Sequence, residues 1–264
     1  MNNRFSNLPW IYLDSSLDAC DLDSSDQLEL DSEHYNHIVK VLRSRPGQKL
    51  VAVSTESRRG YLAEIKEIDK SSKSLVISPI GDTGLASPFH PVQCLILALL
   101  KGKRTDYAIE KATELGVRRI LLFEAERSVV KVSGLKGGKD KLARFRSIVE
   151  SAAAQSRKLF LPEVELITST SELFKRLDIL SINSSSRLIC SLNELAVPLR
   201  ECFETTNAPL AMAIGPEGDF TPHEEQEFES QGFKLVQLSP YILRSDTAVI
   251  CALSMAQAHW EHCE

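Results

Sequence analysis

The sequence predicts an α/β protein in which a small β-barrel precedes a larger domain built on a mostly parallel sheet. Three observations predict it. Residues up to about 80 carry short alternating apolar runs separated by polar turns. From residue 92 onward, apolar strand-like runs alternate with helical segments. Between the two patterns, Gly81 to Pro91 is dense in Gly, Pro and Ser. Strands that alternate with helices imply βα units and parallel pairing, whereas short strands joined by turns imply a small barrel. A linker of that composition marks a domain boundary, so the boundary is placed near residue 85, giving domains 1–84 and 85–264.

In the first domain, the runs Lys49 to Val53, Gly60 to Ile68 and Ser74 to Ile80 alternate with period two and read as strands. In the second, strands are expected at 92–100, 118–124, 163–167, 187–191, 209–214 and 233–238. Helices are expected at 104–115, 139–156, 170–178, 194–204, 221–231 and 245–260. Helix 104–115 places Ala108, Ala112 and Leu115 on one face, with Gly116 where a C-cap glycine belongs. The segment Thr221-Pro222 with Glu224 reads as a capping box with proline at the first helical position.

Composition narrows the class. The chain has 264 residues, 43% hydrophobic and 25% charged, and a formal charge of −5. Its six cysteines form no C-x-x-C pair and no Cys/His cluster with ligand spacing, which excludes a zinc ribbon and predicts no metal. No basic segment followed by an apolar stretch opens the chain, and no apolar run approaches the roughly 18 residues of a membrane span. A reduced, cytoplasmic setting without a membrane partner is the expectation. The net charge hides an asymmetry. Segment 101–158 has 15 Lys and Arg against 7 Asp and Glu, a net +8 that leaves −13 elsewhere. Localised positive charge suits a polyanion bound on one face, although a solvated helical face can show the same pattern.

Four segments carry candidate chemistry. The first, IGPEGDF from Ile214 to Phe220, follows an apolar strand and precedes a helix. Gly215 and Gly218 let backbone approach a ligand, at the end of a parallel strand where such sheets bind small molecules. A tight strand-to-helix connection with no ligand explains it equally well, and it matches neither the dinucleotide nor the nucleoside triphosphate glycine motif. The second, LSPYILRSDTA from Leu238 to Ala248, puts Tyr241, Ile242 and Leu243 in a connecting loop, where they suit a flat aromatic ligand. It then sets Arg244, Ser245, Asp246 and Thr247 at a helix start. The third, KGKRTD from Lys101 to Asp106, offers Lys101, Lys103 and Arg104 and helix N–H groups to phosphate. The fourth joins AERSVV from Ala125 to Val130 with the basic stretch from Lys136 to Arg146, and with Gln155, Arg157 and Lys158. The six histidines are scattered and read as structural or surface residues.

Taken together, these segments resemble the SPOUT-class methyltransferases, and within them the bacterial family that methylates N3 of a uridine in small-subunit (16S) ribosomal RNA. The resemblance rests on HIVKVLR (37–43) with Gly47, KGKRTDYAIEKATELGV (101–117), ERSVV (126–130), Gln155 with Pro162, IGPEG (214–218) and LRSDTA (243–248), in family order over nearly the whole chain. It implies an N-terminal PUA-like β-barrel that helps hold RNA and a C-terminal α/β domain threaded into a trefoil knot. It also implies a homodimer with the RNA site formed across two subunits. S-adenosyl-L-methionine is expected in the knot, against Leu192, Ile214, Gly215, Pro216, Gly218, Leu238, Ser239, Ile242 and Leu243. The family usually has a second glycine where Asp219 stands, a Thr-Glu pair where Ser245-Asp246 stands, and a glutamate near Ala154.

Methylation at uridine N3 requires the imide proton to leave and the nitrogen to align with the methyl group, so a base or an anion-stabilising cation is expected there. Arg244 is the expected cation, and Glu217 and Asp246 are the candidate bases. Positioning alone could also carry much of the rate. Contacts to 16S ribosomal RNA, within the small subunit, are expected from Arg43, Lys101, Lys103, Arg104, Arg127 and Arg157. Two other classes fit parts of the sequence: a nucleotide-binding α/β enzyme using the glycine loop for phosphate, and a non-catalytic RNA-binding protein.

Overall fold

The computed structural model describes residues 5, 7–20, 26–88, 90–131, 138–180, 182–204 and 209–261. Lys136, Cys263 and His262, which entered the sequence reading, lie outside them. The chain divides into two compact units, Met1–Pro88 with Ala153–Leu161, and Phe89–Ala152 with Pro162–Glu264. Residues 153–161, sequence-distant from the barrel, therefore belong to the first unit.

That unit is a five-stranded sheet in the order β1-β3-β4-β5-β2. Strands β3 (Lys49–Ser54), β4 (Gly60–Asp69) and β5 (Ser74–Asp82) form where the alternating runs predict strands, and they pair as an antiparallel meander. Two strands were not anticipated. β1 (Trp10–Leu13) pairs parallel with β3, and β2 (Leu28–Leu30) closes against β5. Register shifts along β4–β5 at Leu62/Ala63 and Ile65/Glu67 curl the sheet. One face buries Ile11, Leu13, Leu17, Ile38, Leu50, Ala52 and Ile77. The alternate residues Trp10, Tyr12, Val51 and Val53 pack instead with Ala153 and Leu159, and the Tyr12 hydroxyl donates to the Lys158 carbonyl at 2.8 Å. Both faces of β3 are thus covered, which is why its sequence is apolar almost throughout. After β2, α1 (Ser32–Tyr35) is capped by the Asp31 carboxylate and runs into a π-helical turn over Asn36–Val41.

The second unit is a seven-stranded sheet, parallel throughout, in the order β10-β12-β9-β11-β6-β7-β8. Its strands are β6 (Val92–Ala98), β7 (Arg119–Phe123), β8 (Glu163–Ile167), β9 (Arg187–Cys190), β10 (Val197–Pro198), β11 (Leu210–Ile214) and β12 (Phe233–Gln237). Between them run α2 (Arg104–Glu114), α3 (Gly138–Ser156), α4 (Thr170–Ile179), α5 (Leu199–Phe203), α6 (Pro222–Ser230) and α7 (Ser245–Glu261). The predicted helix 194–204 is corrected. Pro198 sits at the N-cap of α5, and Val197 and Pro198 pair with β12 instead; the residue before proline is pushed towards extended backbone.

Cys94, Ile96, Ala98, Leu121, Phe123, Ala211 and Ala213 bury one face of the sheet against Leu173 and Leu177 of α4 and Phe228 of α6. Their alternates Leu95, Leu97, Met212 and Ile214 point to the other face, where α7 packs on β6 and β11 and against α2. The capping box is formed as expected: the Thr221 hydroxyl accepts the Glu224 N–H, and Glu224 accepts the Thr221 N–H. These helices set the starting points of the loops that matter next.

Candidate cofactor site

The loops after β9, β11 and β12, three strands adjacent in the sheet, meet over one cavity of about 240 Å3 at the C-terminal strand ends. Ligand crevices in parallel sheets form at that edge. Each loop is fixed by a different set of bonds.

After β11, the chain turns sharply, with the Asp219 N–H donating to the Pro216 carbonyl at 3.0 Å. Gly215 fits closely there: a Cβ at that position would stand 3.2 Å from Asp219 Oδ1, Phe220 Cδ2 and the Phe220 nitrogen, so these neighbours would have to shift by a few tenths of an ångström. Asp219 holds φ 59°, a left-handed conformation that glycine adopts most readily and Asp and Asn tolerate better than other side chains. Its carboxylate accepts the Phe220 N–H at 2.9 Å and, across to the β9 loop, the Leu192 N–H at 3.1 Å. Burial pushes the Asp219 carboxyl up, against the lowering effect of those two N–H bonds. The Glu217 carboxylate accepts the Lys101 N–H at 3.0 Å and lies 3.4 Å from the Arg104 guanidinium. Arg127 donates to the carbonyls of Gly218 (2.8 Å) and Phe220 (3.3 Å), and the Glu126 N–H donates to Glu224.

After β9, Ser191 donates its hydroxyl to buried Glu225, and Asn193 Nδ2 reaches the same carboxylate at 3.0 Å. Cys190, at the end of β9, joins the cavity wall, and burial pushes its thiol up. After β12, Ser239 accepts the Tyr241 N–H at 3.1 Å in a turn that leaves Tyr241 and Ile242 about four-fifths exposed at the cavity mouth. Arg244 lines the cavity, and its guanidinium makes no hydrogen bond or ion pair among the described residues.

Of the residues singled out from the sequence, Leu192, Ile214, Gly215, Pro216, Glu217, Leu238, Ser239, Ile242, Leu243 and Arg244 all line this cavity, and Arg104 joins them. Gly218 lies behind the wall, packed on Arg127, and Asp246 lies in the first turn of α7, accepting the Thr247 N–H, also off the wall. Lys101 and Lys103 are exposed at the start of α2. Arg43 and Arg157 are exposed in the first unit, both at positive φ. Sequence reasoning missed Asp219 and Ser191 as wall residues and Glu225 as the anchor behind them. The only sequence signal for Glu225 is its helical spacing of three from Phe228, which puts a carboxylate on the buried face of α6. Among the described residues no group of His, Cys, Asp and Glu is arranged to hold a metal, and no helix is long and apolar enough to cross a membrane.

Fold and family profiles together define a class, an RNA methyltransferase of SPOUT architecture with a PUA-like domain. The profile of an RNA methyltransferase domain matches residues 88–257, and that of an RNA methyltransferase PUA domain matches 30–78. Ribosomal RNA small subunit methyltransferase E of Bacillus subtilis is 28% identical over 88% of this chain and 90% of its own length. The Mesomycoplasma hyopneumoniae enzyme of that name is 31% identical over 72% of this chain and 78% of its own. The crystal structure of the Neisseria gonorrhoeae enzyme bound to S-adenosylmethionine superposes with a TM-score of 0.81 at 28% identity, covering 96% of this chain and 98% of that one. The chain belongs to the ribosomal RNA small subunit methyltransferase E family.

Proposed function

We propose that this protein uses S-adenosyl-L-methionine to methylate N3 of a uridine in 16S ribosomal RNA of the small subunit. The observation that carries the reading is the convergence of three strand-end loops on one cavity in which the Arg244 guanidinium has no partner among the described residues. The wall suits the cofactor: Leu192, Ile214, Leu238, Ile242 and Leu243 offer apolar surface to an adenine, Gly215 brings backbone close, and Asp219 offers a carboxylate to a cation. Gly218 supports this wall from behind, and Pro216 and Ser239 shape its turns.

Bound there, S-adenosylmethionine supplies an electrophilic methyl group on a sulfonium sulfur. Arg244 stabilises the negative charge that develops on the uracil edge as the N3 proton departs. Asp246 lies off the wall, and Glu217 is already engaged by the Lys101 N–H and by Arg104. We assign both carboxylates to orienting loops, with the N3 proton passing to solvent water at the cavity mouth, an assignment that Glu217→Gln tests. Lys101, Lys103, Arg104, Arg127 and Arg157, with Arg43, contact RNA phosphates.

The family relationship is what supports a trefoil knot in the second domain. Exposed Leu195, Val197, Tyr241 and Ile242 around one loop cluster support a homodimer interface. The setting is the cytoplasm, where ribosomal subunits are. Incubating the protein and labelled S-adenosylmethionine with unmodified small subunits and with naked 16S RNA, then mapping the modified base, tests the reading. Label on uridine N3 supports it; label on another base contradicts the substrate, and no label on either RNA contradicts the activity.

A further inference from the structure

The wall between the β9 and β11 loops is built on carboxylates. Asp219 lines the cavity, and Glu225, buried behind Ser191, is close enough to raise the Asp219 carboxyl further. Neither forms an ion pair with a cation among the described residues. Their acceptors are taken up by neutral donors instead: the Leu192 and Phe220 N–H groups for Asp219, and the Ser191 hydroxyl and Asn193 amide for Glu225. The Arg127 guanidinium is turned to the carbonyls of Gly218 and Phe220, and its pull on Asp219 is the weakest of the influences there. The other charged groups of the wall differ. Glu217 is balanced by Arg104, and Arg244 stands on the β12 side.

Asp219 is also kept at a conformational cost. At φ 59° glycine is the least strained residue, and the turn keeps Asp, one of the side chains that tolerate it best, with its carboxylate facing the cavity. A desolvated carboxylate with no counter-ion is relieved by a cation that enters the cavity. The methyl donor and its demethylated product share every group except the charge on sulfur, which is a sulfonium in one and a neutral thioether in the other.

From this geometry we infer that Asp219 is a specificity-determining residue that favours the sulfonium methyl donor over the thioether product, so that product leaves more readily after transfer. The inference rests on the proposed S-adenosylmethionine site. It also predicts a separation that loop tethering alone does not produce. Loss of the Leu192 and Phe220 bonds would weaken donor and product by the same factor, whereas loss of the charge weakens the donor selectively.

Calorimetric titration of S-adenosylmethionine and S-adenosylhomocysteine into the wild type, Asp219→Asn and Asp219→Gly at pH 7.5 decides it. Asp219→Asn keeps the side-chain shape, and Asp219→Gly suits the left-handed turn, so at least one variant keeps the loop. The expected result is that the donor weakens roughly threefold or more beyond the product in both variants, the size of one unit charge acting through a partly screened site. An equal factor for both ligands overturns the inference and leaves the cavity reading intact. Failure of the wild type to bind either ligand overturns both.

Discussion

The Arg104 guanidinium stands 3.4 Å from the Glu217 carboxylate, whose same oxygen accepts the Lys101 N–H at 3.0 Å. The loop after β11 is thereby tied to the start of α2, and both partners of the pair are partly exposed. Exposed pairs of this kind contribute about 0–1 kcal/mol. Glu217→Gln should therefore weaken cofactor binding less than about fivefold and methyl transfer less than about tenfold. Single-turnover rates beside calorimetry check this; a loss of thousands-fold in transfer with unchanged binding would make Glu217 the base.

Phe228 is fully buried, with ring centroids 4.8 Å from Phe233, 5.2 Å from Phe220 and 5.4 Å from Phe174. It supports the Gly215–Phe220 loop from beneath. Phe228→Ala should cost about 3–5 kcal/mol in equilibrium urea unfolding, the range for an aromatic removed from a packed core.

Asp18 on the barrel accepts hydroxyls from Ser54 (2.5 Å), Ser57 (2.7 Å) and Tyr61 (3.0 Å). Burial pushes its carboxyl up, but those hydroxyls together with Arg59 outweigh it and hold it below the ordinary aspartate value. A lowered folded value means the contribution is present above the unfolded aspartate pKa and is lost as pH falls through the folded one. Ser54→Ala and Tyr61→Phe should each move the acid-unfolding midpoint of the barrel upward, roughly a few tenths of a pH unit, read by circular dichroism between pH 5 and 2. An unchanged midpoint in both would remove Asp18 from the account.

Lys101 and Lys103 are exposed beside the cavity. If they contact phosphates, each alanine substitution should reduce the slope of log affinity against log salt by about 1 for ribosomal RNA fragments. A slope equal to that of the wild type would place the RNA elsewhere.

Much of the fold was legible because its signals are local. The run at 119–123 is short and apolar after Arg119, the run at 163–167 sets Val164 and Leu166 between and after its two glutamates, and Thr221, Pro222 and Glu224 mark the start of α6 within four residues. β1 and β2 were not legible. They are short, they flank an acidic stretch, and each is a strand only because a distant partner, β3 or β5, supplies its hydrogen bonds. For the same reason residues 153–161 gave no sign of joining the barrel, since their burial depends on Tyr12 and Val53. At the site, glycines and exposed apolar residues announced the loops after β11 and β12. Asp219 and Glu225 did not announce themselves, because a carboxylate beside a backbone N–H reads in sequence as an ordinary solvated charge.

Arg244 carries the central claim, and the most direct test is single-turnover methyl transfer to unmodified small subunits by Arg244→Ala, with S-adenosylmethionine affinity measured on the same preparation. Loss of a preorganised charge at a reacting centre costs roughly 100-fold or more in rate. The account predicts such a loss with cofactor affinity within about threefold of the wild type. Undiminished transfer by Arg244→Ala would contradict it.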